Sequence, residues 1–191
     1  MRYSIITPTI LRESLLRACH SVDVQTCQDW EHIIMVDSGH NDTLLEKIKH
    51  SQRHIFFCDM PHRNWGNTCR FNAYEKTQGD YLYSLDDDNY LADEKVLEDL
   101  KAVTKPWAIF PILDCKPVRG EPRRNTLFYN PPRRGQSDGG SILVRREIGR
   151  WPNALVGELT YDLDGQHIER LSVTYPYDVV NRVLMVYGEP F

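Results

Sequence analysis

Short apolar runs alternate with helical segments through the first half of the chain. Strands are predicted at residues 3–7, 31–37, 54–58 and 80–85, and the intervening helices at residues 13–24, 43–50 and 65–77. Strands that are separated by helices at this spacing pair in parallel through right-handed crossovers. The pattern therefore predicts an α/β fold in which a mainly parallel central sheet is flanked by helices.

The pattern changes after Pro106. Further strands are predicted at residues 107–113, 141–144 and 183–187, with a helix at residues 164–173. Residues 115–135 are rich in Pro, Arg and Gly, which is typical of a long irregular loop. Since 191 residues are enough for one domain of this kind, we expect a single domain over residues 1–191.

The composition argues against several classes of protein. Hydrophobic residues make up 41% and charged residues 26%, as in an ordinary globular protein. A net charge of −4 argues against binding nucleic acid through its phosphates. No apolar run approaches the roughly 20 residues that cross a bilayer, and residues 1–6 do not resemble a signal peptide. With five cysteines and no CxxC pair, we expect a reduced, cytoplasmic protein without a transmembrane segment.

Three of the predicted strands run directly into polar or acidic residues. Residues 7–9 close the first strand, Asp37 closes the second, and residues 86–88 follow the fourth. In α/β sheets, ligands bind beyond the carboxyl ends of the strands. We therefore expect these residues to border one crevice, although they are far apart in the sequence.

The run Asp86-Asp87-Asp88 carries the strongest chemical signal. Three adjacent carboxylates are costly to bury without a cationic partner. At the end of a strand, the alternate residues Asp86 and Asp88 point to the same side, and carboxylate and phosphate oxygens suit Mg²⁺ or Mn²⁺. The run predicts a site for one of these ions. The alternative is a polar turn whose solvated acids cap the following helix.

Three segments together resemble the family 2 glycosyltransferases of the GT-A fold. They are YSIITPT at residues 3–9, EHIIMVDSG at residues 31–39 and GDYLYSLDDDN at residues 79–89. The resemblance implies one Rossmann-like GT-A domain that moves a sugar from a nucleotide-sugar, with a UDP-sugar favoured, to a hydroxyl of a saccharide or other acceptor. About residues 1–110 would bind the nucleotide-sugar, and about residues 111–191 would bind the acceptor.

The same resemblance implies roles for individual residues. The donor-binding residues would be Thr7, Thr9, Asp37, Arg70, Asp86 and Asp87, and the metal ligands would be Asp88, Asp86 and His167. Arg70 is placed by counting back from Gly79, although Phe71 stands where the family has Asn. The alternative for Arg70 is an ordinary exposed arginine on a helix, and most lone histidines do not bind metal.

Inverting members of the family place a catalytic base shortly before a helix that contains Arg-Leu. Counting back from Arg170-Leu171 places Asp164 at that position, with Asp162 as the second candidate. Leu163 replaces the Glu of the family's Glu-Asp pair. By resemblance, the base takes the proton of the acceptor hydroxyl. The alternative is that Asp164 only caps the helix.

The basic residues at positions 116–134 lie in a predicted loop. This pattern is consistent with either a lid over the diphosphate or a solvated segment. The basic residues are Lys116, Arg119, Arg123, Arg124, Arg133 and Arg134. Residues 138–141 follow with the sequence Asp-Gly-Gly-Ser, where small side chains let an acceptor approach the backbone.

Other functions were weighed against glycosyl transfer. A nucleotidyltransferase shares the sheet and the metal carboxylates but opens with a glycine-rich loop, and residues 7–12 contain no glycine. A non-catalytic nucleotide-sugar-binding module would have the donor site without a catalytic base. The absence of the family's Glu-Asp pair is consistent with this alternative. A haloacid-dehalogenase-type phosphatase needs DxDx(T/V) after an early strand, whereas here the acids come late and Tyr90 holds the Thr/Val position.

Overall fold

The computed structural model describes residues 1–117, 124–133, 138–152 and 162–188. The helices are α1 (Leu15–Asp23), α2 (Asp42–Lys47), α3 (Asn67–Ala73), α4 (Val96–Asp99) and α5 (Leu163–Thr174). The strands are β1 (Tyr3–Thr9), β2 (Trp30–Val36), β3 (Arg53–Phe57), β4 (Tyr81–Ser84), β5 (Asn89–Leu91), β6 (Trp107–Ile109), β7 (Ile112–Asp114), β8 (Asn125–Leu127), β9 (Ile142–Arg145), β10 (Tyr177–Val179) and β11 (Met185–Tyr187). Among the helices of these described ranges, none is long and apolar enough to cross a membrane.

Seven strands form the main sheet, in the order β10-β6-β9-β4-β1-β2-β3. β1 pairs in parallel with β2 and β4, β2 pairs in parallel with β3, and β6 pairs in parallel with β10. β9 is antiparallel to its neighbours β4 and β6. The prediction of an α/β fold with a mainly parallel sheet flanked by helices is confirmed.

A second sheet of four strands has the order β5-β11-β7-β8. In it, β11 is antiparallel to β5 and parallel to β7, and β7 is antiparallel to β8. β4 of the main sheet ends at Ser84 and β5 of the second sheet begins at Asn89. The acidic run at residues 86–88 therefore lies in the link between the two sheets.

The centre of the core is formed by β1 and β2, in which every residue is buried. On one face of β1, Ile5 joins the cluster that contains Ala18 and Val22 of α1. On the other face, Ile6 joins the cluster that contains Cys69 of α3. Strands covered by helices on both faces are buried along their whole length, and here the buried polar residues of β1 and β2 pair with each other, as Ser4 does with Glu31 and Thr7 with His32. This packing holds the carboxyl ends of the strands, and the polar residues that follow them, in a rigid layer.

The predicted strand at residues 107–113 is divided in the structure. β6 ends at Ile109 and β7 begins at Ile112, and the two strands belong to different sheets. Pro111 lies between them, and because proline has no N–H it cannot continue a sheet ladder. Phe110 N still donates to Ser141 O at 3.0 Å, so the chain leaves the main sheet directly at Pro111.

Candidate active site

Two adjoining clefts open at the carboxyl ends of β1, β2 and β4. The triplet cleft, about 440 Å³ in volume, has a lining that includes Thr9, Arg12, Asp37, Asp86, Asp87 and Asp88. The inner cleft, about 460 Å³ in volume, has a lining that includes Asn67, Arg70, Asp86, Asp138, Asp162 and Asp164. Asp86, Trp65 and Tyr187 border both. The structure thus brings predicted donor residues to one cleft and both candidate bases to its neighbour.

The three carboxylates of the acidic run lie in different environments. Asp87 is 1% exposed, accepts a hydrogen bond from Thr9 Oγ1 at 2.7 Å and forms an ion pair with Arg12. The side chains of Asp86 and Asp88 are 31% and 27% exposed. The run lies in a turn, closed by the hydrogen bond that Asn89 N donates to Asp86 O at 3.0 Å, and the contacts with Thr9 and Arg12 turn Asp87 inwards. Asp86 and Asp88 are therefore available to a ligand, whereas the carboxylate of Asp87 is buried and bound by Thr9 and Arg12.

Arg70 is buried rather than exposed on its helix. Its Nε donates to Ser84 Oγ at 2.9 Å, its NH1 donates to Trp65 O at 2.8 Å, and its NH2 forms an ion pair with Asp86. The guanidinium also lies 5.3 Å from the centre of the Trp151 ring. Arg70 therefore fixes the position of Asp86 at the boundary between the two clefts.

Of the three residues predicted to bind the nucleotide at β1 and after β2, Asp37 and Thr7 differ in position. Asp37 lines the triplet cleft, where its two carboxylate oxygens accept hydrogen bonds from His62 N at 2.9 Å and Arg63 N at 3.1 Å. Thr7 is fully buried, and its Oγ1 lies 2.9 Å from His32 Nε2. The structure therefore places Asp37 in the cleft and Thr7 in the core of the sheet.

A second group of acids lies in the inner cleft. Asp164, in the first turn of α5, accepts a hydrogen bond from Gly139 N at 3.3 Å, and burial raises its pKa. Asp138 accepts from Gly140 N at 2.7 Å, and burial together with the charge of Asp86 raises its pKa to about 7. Asp138 was not predicted as a site residue, because the sequence of residues 138–141 was interpreted only through its small side chains. An aspartate directly before Gly-Gly was the available signal.

The comparison with family models agrees with this arrangement. The model described as glycosyl transferase family 2 matches residues 4–153, which include Asp138 and every residue that lines the triplet cleft except Tyr187. The chain belongs to glycosyl transferase family 2. No curated protein matches the sequence significantly.

Solved structures of S. aureus TarS have the same fold as this family 2 chain. The structure of TarS residues 1–349 matches with a TM-score of 0.75 and 14% identity over 98% of this chain and 60% of that one. The same part of TarS in complex with UDP-GlcNAc matches with a TM-score of 0.74 and 13% identity over 100% of this chain and 59% of that one. This chain therefore spans about 60% of the TarS 1–349 chain and 37% of the longer TarS chain, and at this identity the likeness shows the GT-A fold.

His167 does not join the acidic residues in this family 2 domain. Its ring is fully buried, lies 4.8 Å from the ring of Trp151 and has Nδ1 3.1 Å from Arg170 NH2. Burial lowers its pKa to about 3. In the described ranges, the three-residue cluster of potential metal ligands is formed by Asp37, Cys58 and His62, not by His167. α5 thus turns the ring of His167 into the core, and its role as a metal ligand stays a prediction.

Trp65 borders both clefts and was not identified from the sequence. Its side chain is 58% exposed, and its backbone has a φ of 54°, in the left-handed region that non-glycine residues rarely adopt. The bond from Arg70 to Trp65 O and the positive φ of Gly66 hold this conformation. A Cβ on Gly66 would lie 2.6 Å from Pro8 Cβ, so a larger residue does not fit there. The strained backbone displays the indole at the rim of the site.

Replacing Asp87 with Asn is expected to lower stability more than donor affinity. The substitution removes a buried charge that accepts hydrogen bonds from Thr9 and Arg12, and such bonds contribute about 2 kcal/mol. For a chain of this size, the melting temperature should fall by about 4–8 °C. Asp88→Asn, at a partly exposed carboxylate, is the matched control and should change it by less than about 4 °C. If the Asp87→Asn protein had a normal melting temperature but bound the donor weakly, Asp87 would be a donor-binding residue rather than a structural one.

Proposed function

We propose that the protein transfers a sugar from a nucleotide-sugar, with a UDP-sugar favoured, to a hydroxyl group of an acceptor. The observation that carries the proposal is the shared position of Asp86, which lines both the triplet cleft and the inner cleft. The diphosphate and the sugar of one donor can therefore extend from the strand ends towards Asp164. Membership of glycosyl transferase family 2 supports the reaction class, and the UDP-GlcNAc complex of TarS supports the donor class.

The nucleoside end of the donor is assigned to the triplet cleft. A carboxylate has about four lone-pair sites, and two of those on Asp37 accept the N–H groups of His62 and Arg63. The remaining sites can accept hydrogen bonds from a ribose hydroxyl or a base N–H. Thr9 supports the same cleft indirectly, because its hydroxyl orients Asp87.

Asp86 and Asp88 are the residues that would hold a divalent metal ion. Both are partly exposed carboxylates on one cleft, and hard cations such as Mn²⁺ and Mg²⁺ prefer oxygen ligands of this kind. Lys116 Nζ lies 3.2 Å from Asp88 Oδ2, so this carboxylate already has a cationic partner. When bound, the ion stabilises the negative charge of the departing diphosphate.

Asp164 is assigned as the general base of an inverting transfer. The acceptor oxygen attacks the anomeric carbon, the bond from that carbon to the diphosphate oxygen breaks, and the hydroxyl proton passes to the Asp164 carboxylate. The pKa of Asp164 is raised by burial, which makes its carboxylate a stronger base near neutral pH. Asp162 also lines the inner cleft and is the alternative base.

The acceptor is assigned to the inner cleft, with Trp65 at its entrance. An exposed indole offers a flat apolar face, and such faces pack well against sugar rings. In this assignment residues 1–191 act as one domain. Most residues assigned to the donor precede residue 110, whereas Asp138 and Asp164 of the inner cleft follow it.

A binding and hydrolysis experiment tests the proposed function. UDP, GDP, dTDP and CMP sugars are added to the chain with Mn²⁺ or with a chelator, and the melting temperature is measured. At about 100 times its dissociation constant, a donor should stabilise by about 2.7 kcal/mol, which corresponds to roughly 5–10 °C. Stabilisation by one donor class with Mn²⁺, followed by slow release of free sugar, supports a transferase. Stabilisation without any sugar release indicates a non-catalytic binding module, and no stabilisation by any donor contradicts the proposal.

A further inference from the structure

A cluster of thiol, imidazole and carboxylate groups lies at the edge of the triplet cleft, apart from the acidic run. The ligand atoms of Asp37, Cys58 and His62 all lie within 4.8 Å of one another. Cys69 adds a fourth group, because its Sγ lies 3.4 Å from Cys58 Sγ and 3.8 Å from Asp37 Oδ1. Neither the family match nor the proposed transfer reaction accounts for this convergence of two thiols, an imidazole and a carboxylate.

The elements that carry the cluster are fixed by the fold. Asp37 follows β2, Cys58 follows β3 and Cys69 lies in α3. Cys58 N donates to Val36 O at 2.9 Å, which extends the pairing of β2 and β3 by one residue. His62 is brought back to the same point because its N–H donates to Asp37. The four groups therefore meet through the tertiary structure, although they span more than 30 residues of sequence.

The spacing of these groups matches a tetrahedral metal site. With Zn–S bonds of about 2.3 Å and Zn–N or Zn–O bonds of about 2.0–2.2 Å, the ligand atoms around zinc lie roughly 3.3–3.8 Å apart. Around zinc, two sulfur atoms lie about 3.8 Å apart and a sulfur and an oxygen about 3.5 Å apart, so the 3.4 Å from Cys69 Sγ to Cys58 Sγ and the 3.8 Å to Asp37 Oδ1 each need a shift of about 0.4 Å. The ligand atoms of Asp37, Cys58 and His62 lie at most 4.8 Å apart, so each pair must approach by at most about 1.5 Å to bind one zinc ion.

We propose that Asp37, Cys58, His62 and Cys69 form a structural Zn²⁺ site. Two thiolates with one imidazole and one carboxylate favour zinc over Mg²⁺ or Mn²⁺, which prefer oxygen ligands. Burial raises the pKa of both thiols, so zinc binding displaces a proton from each. The ion would fix the loop from Cys58 to Trp65 against β2 and α3. Asp37 has lone pairs for both a metal and a nucleoside, so this site is compatible with the donor site.

The test uses the tag-free full chain, kept reduced, and measures bound zinc by elemental analysis and by titration against a chromophoric chelator. About one zinc ion per chain is expected. Cys58→Ser and His62→Ala should each weaken zinc binding by more than about 100-fold. Cys27→Ser and His54→Ala, which lie outside the cluster, should leave it unchanged. Co²⁺ added to the unmodified chain should give the absorption of thiolate-to-cobalt charge transfer, and this measurement does not depend on any variant folding.

Three outcomes would overturn the zinc site. The first is the absence of stoichiometric zinc from the reduced chain. The second is zinc that is retained in Cys58→Ser but lost when both Asp86 and Asp88 are changed to Asn, which would place the ion on the acidic run. The third is a Cys58–Cys69 disulfide that persists in the presence of reductant, seen as two missing thiols out of five after the chain is denatured with a chelator. Since none of these measurements uses a sugar donor, failure of the zinc site is distinguishable from failure of the proposed transfer reaction.

Discussion

Asp164→Asn is expected to lower the turnover number by about 10² to 10⁴ while leaving the dissociation constant of the donor unchanged. An acceptor hydroxyl is a poor nucleophile at neutral pH, and the carboxylate assigned to remove its proton lies in the inner cleft. Asn keeps the shape of the side chain and can still accept the hydrogen bond from Gly139 N, but it is not basic. Steady-state rates with the identified donor and acceptor, together with calorimetric titration of the donor, measure the two quantities separately.

Asp162→Asn is the matched control for this substitution. Asp162 precedes α5 and lines the same cleft, so the two variants differ by two positions in the chain. We expect a much smaller change in turnover for Asp162→Asn. A larger effect at Asp162 than at Asp164 would show that the count back from Arg170-Leu171 misplaced the base. If neither substitution mattered and the product kept the donor's anomeric configuration, the inverting mechanism would be wrong.

Asp88→Ala is expected to abolish metal-dependent transfer, with a loss of at least about 10³-fold. A metal ion contributes several kcal/mol to the stabilisation of a departing diphosphate, and each 1.36 kcal/mol changes the rate about tenfold. Because the Asp88 side chain is 27% exposed and pairs with cations at the surface, the fold should tolerate its removal. Transfer rates across a Mn²⁺ titration in chelator-treated buffer measure the effect, and the melting temperature reports on the fold.

The matched control for Asp88→Ala is Lys116→Ala. Lys116 Nζ contacts Asp88 and lies 3.7 Å from the centre of the Tyr187 ring, but as a cation it does not bind metal. We expect this variant to retain a Mn²⁺ requirement. Near-normal transfer by Asp88→Ala without added metal would contradict the assignment of the acidic run as a metal site.

The sequence by itself determined the fold class and the position of the clefts. The apolar runs of β1, β2 and β4 are local patterns, and they end at residues that the structure places at one edge of the sheet. The family motifs were read from the same local segments, and the family match includes them. The prediction of Asp164 as the base rests on the same kind of local pattern, because its distance from Arg170-Leu171 is set within one helix. These features depend on neighbours within about one helix or strand.

The tertiary structure decided how far each of these side chains is exposed in the clefts. Asp87 cannot be told from Asp86 and Asp88 by residue type, and its burial depends on Arg12 and Thr9, about 75 positions away.

The same limit applies to Thr7, His167 and Trp65. Thr7 and His167 are turned into the core by partners on β2 and near β9, whereas Trp65 is displayed by a contact with α3. The meeting of Asp37, Cys58, His62 and Cys69 likewise depends on the pairing of β2 with β3 and on the packing of α3. Local sequence encodes the period and the ends of an element, but the direction of a side chain relative to distant groups is fixed only when the elements pack.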